Sequence, residues 1–311
     1  MSRETHSWLT APPEADRVAI RTQQRFVCRR APVLIEGIAL RRPELVVRRT
    51  RYVGVVVDER VLSRAFHPSQ AMGRLQAFMM MRGSLELDDS AVLGPGDTVV
   101  LRPVHQALFR LDNAEFVEIE WTSDEELAAP VRLAHKVDPS ALFASYDDPE
   151  LPQRALFARS IDAFRRAGAP LGAHRAEQLQ GAPSEREQRI AQAIAGQLDL
   201  IGTTADTLVL GEQAGVSPRQ LQRIYARLCS TYGMNLASWR DTRNRWRLQI
   251  AAVLLSRTDL SLSEIAGETG YRSPQAMARA FLHAGLPSPS DVRRLLLPGY
   301  PTAPSLPRDR S

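Results

Sequence analysis

Leu210-Gly211-Glu212-Gln213-Ala214-Gly215-Val216-Ser217-Pro218, followed by Leu221, Arg223 and Tyr225, is echoed by a second stretch. That copy is Ile265-Ala266-Gly267-Glu268-Thr269-Gly270-Tyr271-Arg272-Ser273-Pro274, followed by Met277, Arg279 and Phe281. Each copy predicts a short helix that closes on Gly, a tight turn, and a second helix opened by Ser-Pro. Serine at that position accepts from the free N–H groups of the first turn, and proline at the first helical position forfeits no hydrogen bond. Gly215 and Gly270 stand where a left-handed residue ends a helix. The copies are spaced too widely for a stacked repeat, so they are two helix-turn-helix units, not a solenoid.

The flanking text supports that division. Ser184 and Glu187 have the spacing of a capping box and open a helix striped by Ile190, Ile194 and Leu198. Asp206 is placed to cap the first helix of the first unit. Leu236–Ser256 is expected to be one long helix joining the units, with Trp239, Trp246, Ile250 and Val253 on its apolar side and Arg240, Asp241, Asn244 and Arg245 on the other. Ser261 and Glu264 form a second capping box. In the recognition positions Leu221, Ile224, Tyr225 and Leu228 face inward, leaving Arg219, Gln220, Gln222, Arg223 and Arg227 outward. In the second unit Gln275, Arg279 and Arg272 point out around Met277, Ala280 and Phe281. Arginine suits guanine and glutamine suits adenine, each through paired hydrogen bonds.

The N-terminal half reads differently. Val33–Leu40, Glu44–Val57, Leu75–Met81, Leu85–Leu87, Thr98–Leu101 and Phe116–Trp121 are short strand-like runs separated by turn signals such as Gly94-Pro95-Gly96-Asp97. They predict a sandwich or small barrel. Arg41, Arg42, Arg48, Arg49 and Arg51 are assigned to strand edges, where charge resists aggregation, ahead of a role in meeting an anion. Pro152–Gly168 is an amphipathic helix that either pairs with its twin in a dimer or packs on the barrel. Met1–Ala19 is a loose leader, Ala167–Pro183 a linker rich in Ala, Gly and Pro, and the tail from Pro298 disordered.

Composition narrows the function. At 311 residues with 44% hydrophobic and 24% charged residues, the chain has the make-up of a globular protein of two domains. A net charge of +5, carried almost wholly by arginine, suits a polyanionic partner without demanding one. Cys28 and Cys229 are too few for a disulfide framework, which points to a reducing, cytoplasmic setting. No run is long and apolar enough for a membrane span. His67 and His105, with no His-x-His, do not make a metal site, and no catalytic triad, phosphate loop or dinucleotide turn is present, so neither a cofactor nor an enzyme is expected.

The region Ser184–Arg294 resembles the DNA-binding domain of the AraC/XylS family of transcription regulators. The resemblance is carried by Ala214-Gly215-Val216-Ser217-Pro218-Arg219-Gln220-Leu221-Gln222-Arg223, by Arg247-Leu248 with Ala251 and Leu254-Leu255, by Ile265-Ala266, Gly270-Tyr271 and Arg279-Ala280-Phe281, and by Ser288-Pro289-Ser290 with Arg293. Gly211 departs from the family's usual alanine, which loosens that helix. The stretch Gly83–Pro103 is similar to the cupin-like sensor domains that precede many such regulators. The resemblance implies an α+β chain of two domains. Residues 1–183 form a cupin-like β-barrel (about 20–130) with appended helices (about 139–168) and a linker. Residues 184–297 form an all-α domain of two helix-turn-helix units joined by a long linker helix, and 298–311 the tail. It implies a cytoplasmic, sequence-specific regulator, more often an activator, bound to double-stranded DNA in two adjacent major grooves, with RNA polymerase as a partner, a small-molecule effector and a homodimer. Its base-contact positions are Arg219, Gln222, Arg223, Gln275 and Arg279, and its backbone contacts Ser217, Gln220, Arg227, Arg272 and Ser273. A ligand-independent DNA-binding protein whose first half only dimerises is the competing reading.

Overall fold

The computed structural model describes residues 18–58, 74–87, 91–102, 110–123, 125, 127–148, 150–172, 183–202, 207–232, 238–257 and 259–296. Most of the expected leader, His67, His105, the Asp206 cap and the tail lie outside them. Nine strands among these residues run β1 (Ile20–Val27), β2 (Leu34–Arg41), β3 (Leu45–Val53), β4 (Val56–Asp58), β5 (Arg74–Leu87), β6 (Ala91–Leu93), β7 (Thr98–Leu101), β8 (Arg110–Thr122) and β9 (Val131–Arg132). They form one antiparallel sheet in the order β1-β2-β3-β8-β5-β7-β9, with β4 on β8 and β6 on β5. No pairing joins β1 to β9 among the described residues, so the sheet is not closed, and the expected cupin-like barrel is corrected to an open antiparallel sheet. The two runs expected at Leu75–Met81 and Leu85–Leu87 are one strand, β5, which keeps its pairing to β8 through register shifts around Arg82. The single run expected at Glu44–Val57 is two strands, broken at Gly54.

β1 escaped the sequence reading because its centre, Arg21-Thr22-Gln23-Gln24-Arg25, is polar. Its outer edge is not bare. The Arg21 N–H donates to Gln188 Oε1 at 2.9 Å, Gln188 Nε2 donates back to the Arg21 carbonyl at 2.5 Å, and the Gln23 N–H donates to Gln192 Oε1 at 3.3 Å. Two glutamines of a helix thus stand in for a neighbouring strand, satisfying an edge that would otherwise template aggregation.

Side chains alternate between the two faces of the sheet. One face carries Leu40, Leu45, Val47, Leu75, Met79, Val117, Ile119 and Trp121 and is covered by α1 (Ser140–Asp147) and α2 (Gln153–Ala167). Leu156, Phe157, Ile161 and Phe164 of α2 are all at most 3% exposed in that cluster. The apolar stripe of α2 is therefore consumed within the chain, packed on the sheet. Gln153 adds an anchor, its Oε1 accepting from the Val18 and Ala19 N–H groups at 3.2 and 3.0 Å. The opposite face carries Arg41, Arg48, Glu118, Glu120 and Gln76 on neighbouring strands, with Tyr52, Phe78 and Phe116 further along.

β3 pairs with β2 on one side and β8 on the other, so Arg48, Arg49 and Arg51 are not on an edge. The edge assignment is corrected accordingly. Arg49 is buried and bridges Glu115 (Nε to Oε1, 2.7 Å) and Asp147 at the end of α1. Arg42 pairs with Glu44 at 2.6 Å and donates to the Val18 carbonyl. These are structural cations, kept in the interior because each has a carboxylate or carbonyl to neutralise it.

The C-terminal half contains α3 (Glu185–Gly196), α4 (Thr207–Ala214), α5 (Pro218–Tyr232), α6 (Trp239–Leu254), α7 (Leu262–Glu268), α8 (Pro274–His283) and α9 (Pro289–Leu296). α6 is shorter than the Leu236–Ser256 helix expected. Ser238 caps it by accepting from the Asp241 N–H, and it ends at Leu254. Its 16 residues span about 24 Å at 1.5 Å per residue. α3, α4 and α5 share one apolar cluster around Ile190, Ile194, Leu210, Leu221 and Tyr225, which also takes in Ile20 of β1. The second unit has no core of its own. Ile265, Met277, Phe281 and Val292 belong to a cluster continuous with Phe26, Ile35, Met80 and Phe116 of the sheet. Polar contacts reinforce that junction: the Val56 N–H donates to Ser256 Oγ (3.1 Å), Arg257 Nη1 to the Gly54 carbonyl (3.0 Å), and Arg30 pairs with Glu264 (3.4 Å) and Glu268 (3.7 Å). No helix among the described residues is long and apolar enough to cross a membrane.

Candidate nucleic-acid interface

Both units are held by the local devices that their sequences spell out. Ser184 and Ser261 each form reciprocal capping boxes with Glu187 and Glu264. Gly215 and Gly270 are left-handed, with φ of 65° and 74°. The chain then doubles back through matched hydrogen bonds, Val216 N–H to the Gly211 carbonyl (2.9 Å) and Tyr271 N–H to the Ala266 carbonyl (2.8 Å). Gly211, read from sequence as a weak point, has a packing reason: a Cβ there would lie 2.8 Å from the Val216 carbonyl. The first turn closes too tightly for alanine.

Ser217 opens α5, accepting from the Gln220 N–H at 3.3 Å while Gln220 Oε1 accepts from the Ser217 N–H at 3.2 Å. Gln220 therefore completes a capping box and presents only part of its amide outward. Leu221, Tyr225 and Leu228 are buried on the inner side, and the Tyr225 hydroxyl meets Thr242 of α6. Arg219, Gln222, Arg223 and Arg227 are all exposed along the outer side. Arg227 is engaged, its Nε lying 3.0 Å from Glu187 on α3. In the second unit Ser273 caps α8 by accepting from the Ala276 N–H at 3.1 Å, with Pro274 in the first turn. Met277 and Phe281 are fully buried, while Arg272, Gln275 and Arg279 are exposed. Neither Arg223 nor Arg279 forms an ion pair within the fold among the described residues, although both occupy the same slot in their copies.

α6 joins the two units mechanically. Trp239 and Trp246 meet edge to face at 5.7 Å and 80°, and Trp246 packs against the clusters of both units. They are core anchors. Arg243, Arg245 and Arg247 are half-buried, and burial lowers the pKa of Arg245 and Arg247 from the usual arginine value. Arg247 stacks over the Tyr271 ring at 5.9 Å, beneath the second turn. These arginines pack and do not project. Sequence reasoning missed Leu282, which is 74% exposed beside Arg279 on α8. Nothing in its local sequence marks it as exposed; only the position of the neighbouring helices does.

Two Ser-capped recognition helices, each leading with exposed arginine and glutamine and tied through one shared helix, define a double helix-turn-helix unit. Residues 210–295 match the family described as a helix-turn-helix domain, of AraC type. The HTH-type transcriptional regulator GlxA of Rhizobium meliloti (strain 1021) is 35% identical over 89 residues, 29% of this chain and 26% of that protein. The match thus spans about a quarter of the length of that curated relative. Among solved structures, the DNA-binding domain of AdpA in complex with a target DNA is similar at 27% identity, over 34% of this chain and 89% of that one, with a TM-score of 0.29. ToxT from Vibrio cholerae with a bound unsaturated fatty acid is similar at 12% identity over 72% and 88% of the two chains, with a TM-score of 0.32. The AraC-like transcriptional activator CuxR gives 11% identity over 66% and 88%, with a TM-score of 0.32.

Proposed function

We propose that the chain is a sequence-specific DNA-binding transcription regulator, residues 184–297 being the reading domain and 1–183 a domain that senses a small effector, dimerises, or does both. The observation that carries this reading is the exposed row Arg219, Gln222 and Arg223 on a helix whose other side is locked into the core. A rigid helix with long, unpaired donors along one side is what a major groove requires. α5 supplies most of the base discrimination through these three residues. α8 offers Gln275 and Arg279, flanked by Ala276 and Ala278, and holds the DNA chiefly through its backbone with Arg272 and the Ser273 cap. Ser217, Gln220 and Arg227 serve the backbone in the first unit, Arg227 exchanging Glu187 for a phosphate. The units enter adjacent grooves of one duplex face, α6 making up about 24 Å of the roughly 34 Å between them. Activation through RNA polymerase and assembly as a homodimer complete the reading.

Selection of bound sequences from a random pool tests it. Arg223→Ala should relax base preference at one position by the equivalent of about 1–3 kcal/mol, while Arg279→Ala should weaken all sequences alike and flatten the salt dependence. Greater loss of preference with Arg279→Ala would reverse the assignment of the two helices.

A further inference from the structure

Leu282 on α8 is 74% exposed, more than any other large apolar side chain among the described residues. Its place, more than its exposure, sets it apart. In the folded helix it stands on the outward side with Gln275 and Arg279, both exposed, and Ala278 lies beside it. The inner side of α8 is complete without it. Met277 and Phe281 are fully buried in the cluster shared with the sheet, and Ala280 and Ala284 pack against that cluster. The other exposed large apolar side chains lie elsewhere: Val27, Val92 and Val131 on strands, Leu200 in a turn, Leu208 and Val209 on α4. A solvated helical position does not call for leucine. Arginine, lysine, glutamine and glutamate sustain a helix about as well and bring less apolar surface into water.

The two recognition helices, aligned on Ser217 and Ser273, differ along this row. α5 presents Arg219, Gln222, Arg223 and Ala226, whereas α8 presents Gln275, Ala278, Arg279 and Leu282 in the same slots. A methyl group thus replaces the amide of Gln222, and a branched apolar side chain replaces the small, exposed Ala226. α8 is poorer in hydrogen-bonding groups than α5 and richer in apolar surface. The major groove holds one apolar group that such a surface can recognise, the C5 methyl of thymine. The other base edges there carry donors and acceptors that leucine would leave unpaired.

We propose that Leu282, flanked by Ala278, contacts the C5 methyl of a thymine in the groove that α8 enters and is a specificity-determining residue of the second unit. The proposal rests on the DNA-reading role assigned to α8 above. It adds one base preference to a helix that otherwise holds the duplex through its backbone. Burying a single methyl group corresponds to about fourfold in affinity, so α5 remains the main discriminator.

The test uses the full chain and duplexes carrying a sequence that it selects from a random pool. Each thymine in the patch assigned to α8 is replaced singly by uracil, which removes the methyl group and leaves every hydrogen-bonding group in place. Fluorescence anisotropy should show one uracil position that weakens the parent about fourfold. Leu282→Ala should bind the thymine duplex about as weakly as the parent binds that uracil duplex, and should not distinguish the two. Arg223→Ala should weaken both duplexes and keep their ratio. Because Leu282 is exposed, its alanine variant should melt with the parent, which separates lost reading from lost fold. No uracil position that affects the parent, a thymine preference that Leu282→Ala retains, or a Leu282→Ala variant that melts well below the parent would each overturn the inference while selective binding stands. A parent that selects no sequence from the pool would instead remove the regulator reading, and this inference with it.

Discussion

Gly270→Ala should cost far more stability than Gly215→Ala, although the two glycines hold the same place in the two units. Both are left-handed, which penalises any residue with a Cβ by roughly 1–2 kcal/mol, offset in part by about 0.4–1 kcal/mol of entropy removed from the unfolded chain. At Gly215 that is the whole effect, because a Cβ there meets nothing within 4 Å. The net cost is therefore about 1 kcal/mol. At Gly270 a Cβ would lie 2.8 Å from the Ile201 carbonyl and 2.6 Å from Arg247 Nη2. The arginine can swing aside only by leaving the Tyr271 ring, and the carbonyl belongs to Ile201, itself buried, whose shift adds about 1–3 kcal/mol of overpacking. The expected total is about 2–4 kcal/mol. Urea midpoints for parent and both variants, followed by Trp fluorescence through the Trp239–Trp246 pair, give the comparison. Equal losses, or a larger loss for Gly215→Ala, would refute the claim that the second turn is wedged between α6 and the Ile201 turn.

Asp97→Asn should destabilise the Gly94–Asp97 turn by about 1 kcal/mol at pH 7, the flanking Arg132 and Lys136 being half exposed and screened. Burial alone would raise this carboxyl, but the Gly94 N–H and the Arg132 and Lys136 charges outweigh it and hold the pKa below the usual value. The folded state therefore gains stability above the ordinary aspartate value of about 4. That gain disappears as pH falls through the depressed value, so the difference between parent and variant in acid titrations of the melt should vanish there; a difference that persists would contradict the assignment. Gln188→Leu removes both hydrogen bonds to Arg21 at the β1 edge and should cost about 1–3 kcal/mol. The Arg21 amide should exchange faster with solvent, and unchanged exchange would show that α3 does not complete the sheet edge.

What the sequence disclosed and what it hid divide by range. Caps and turns are written within four residues, so Ser184 with Glu187, Ser261 with Glu264, and the two left-handed glycines could be read directly and occur as expected. The burial of Leu221, Tyr225, Met277 and Phe281 followed from helical spacing for the same reason. β1 was hidden because its stability comes from pairing with β2 and from Gln188, 167 positions away. The closure of the sheet is likewise a question of distant strands, and the turn signals that suggested a barrel are equally compatible with an open sheet. The arginines of β3 show the limit most clearly. Arg48 and Arg49 are alike in sequence, but strand alternation sends them to opposite faces, Arg49 to Glu115 and Asp147 beside α1 and Arg48 to Glu118 on the other side. The exposed row on α5 was legible as a row; which of its members is occupied inside the fold was not, since the Gln220 cap and the Arg227–Glu187 bridge depend on rotamer and on α3.

Hydroxyl-radical footprinting of the full chain on a selected binding fragment tests the twin-reader account most directly. Two protected patches on one face of the duplex, about one helical turn apart, with the patch assigned to α5 lost in an Arg219→Ala, Arg223→Ala double variant while the other persists, is the predicted result. A single patch, or two patches on opposite faces, would contradict it.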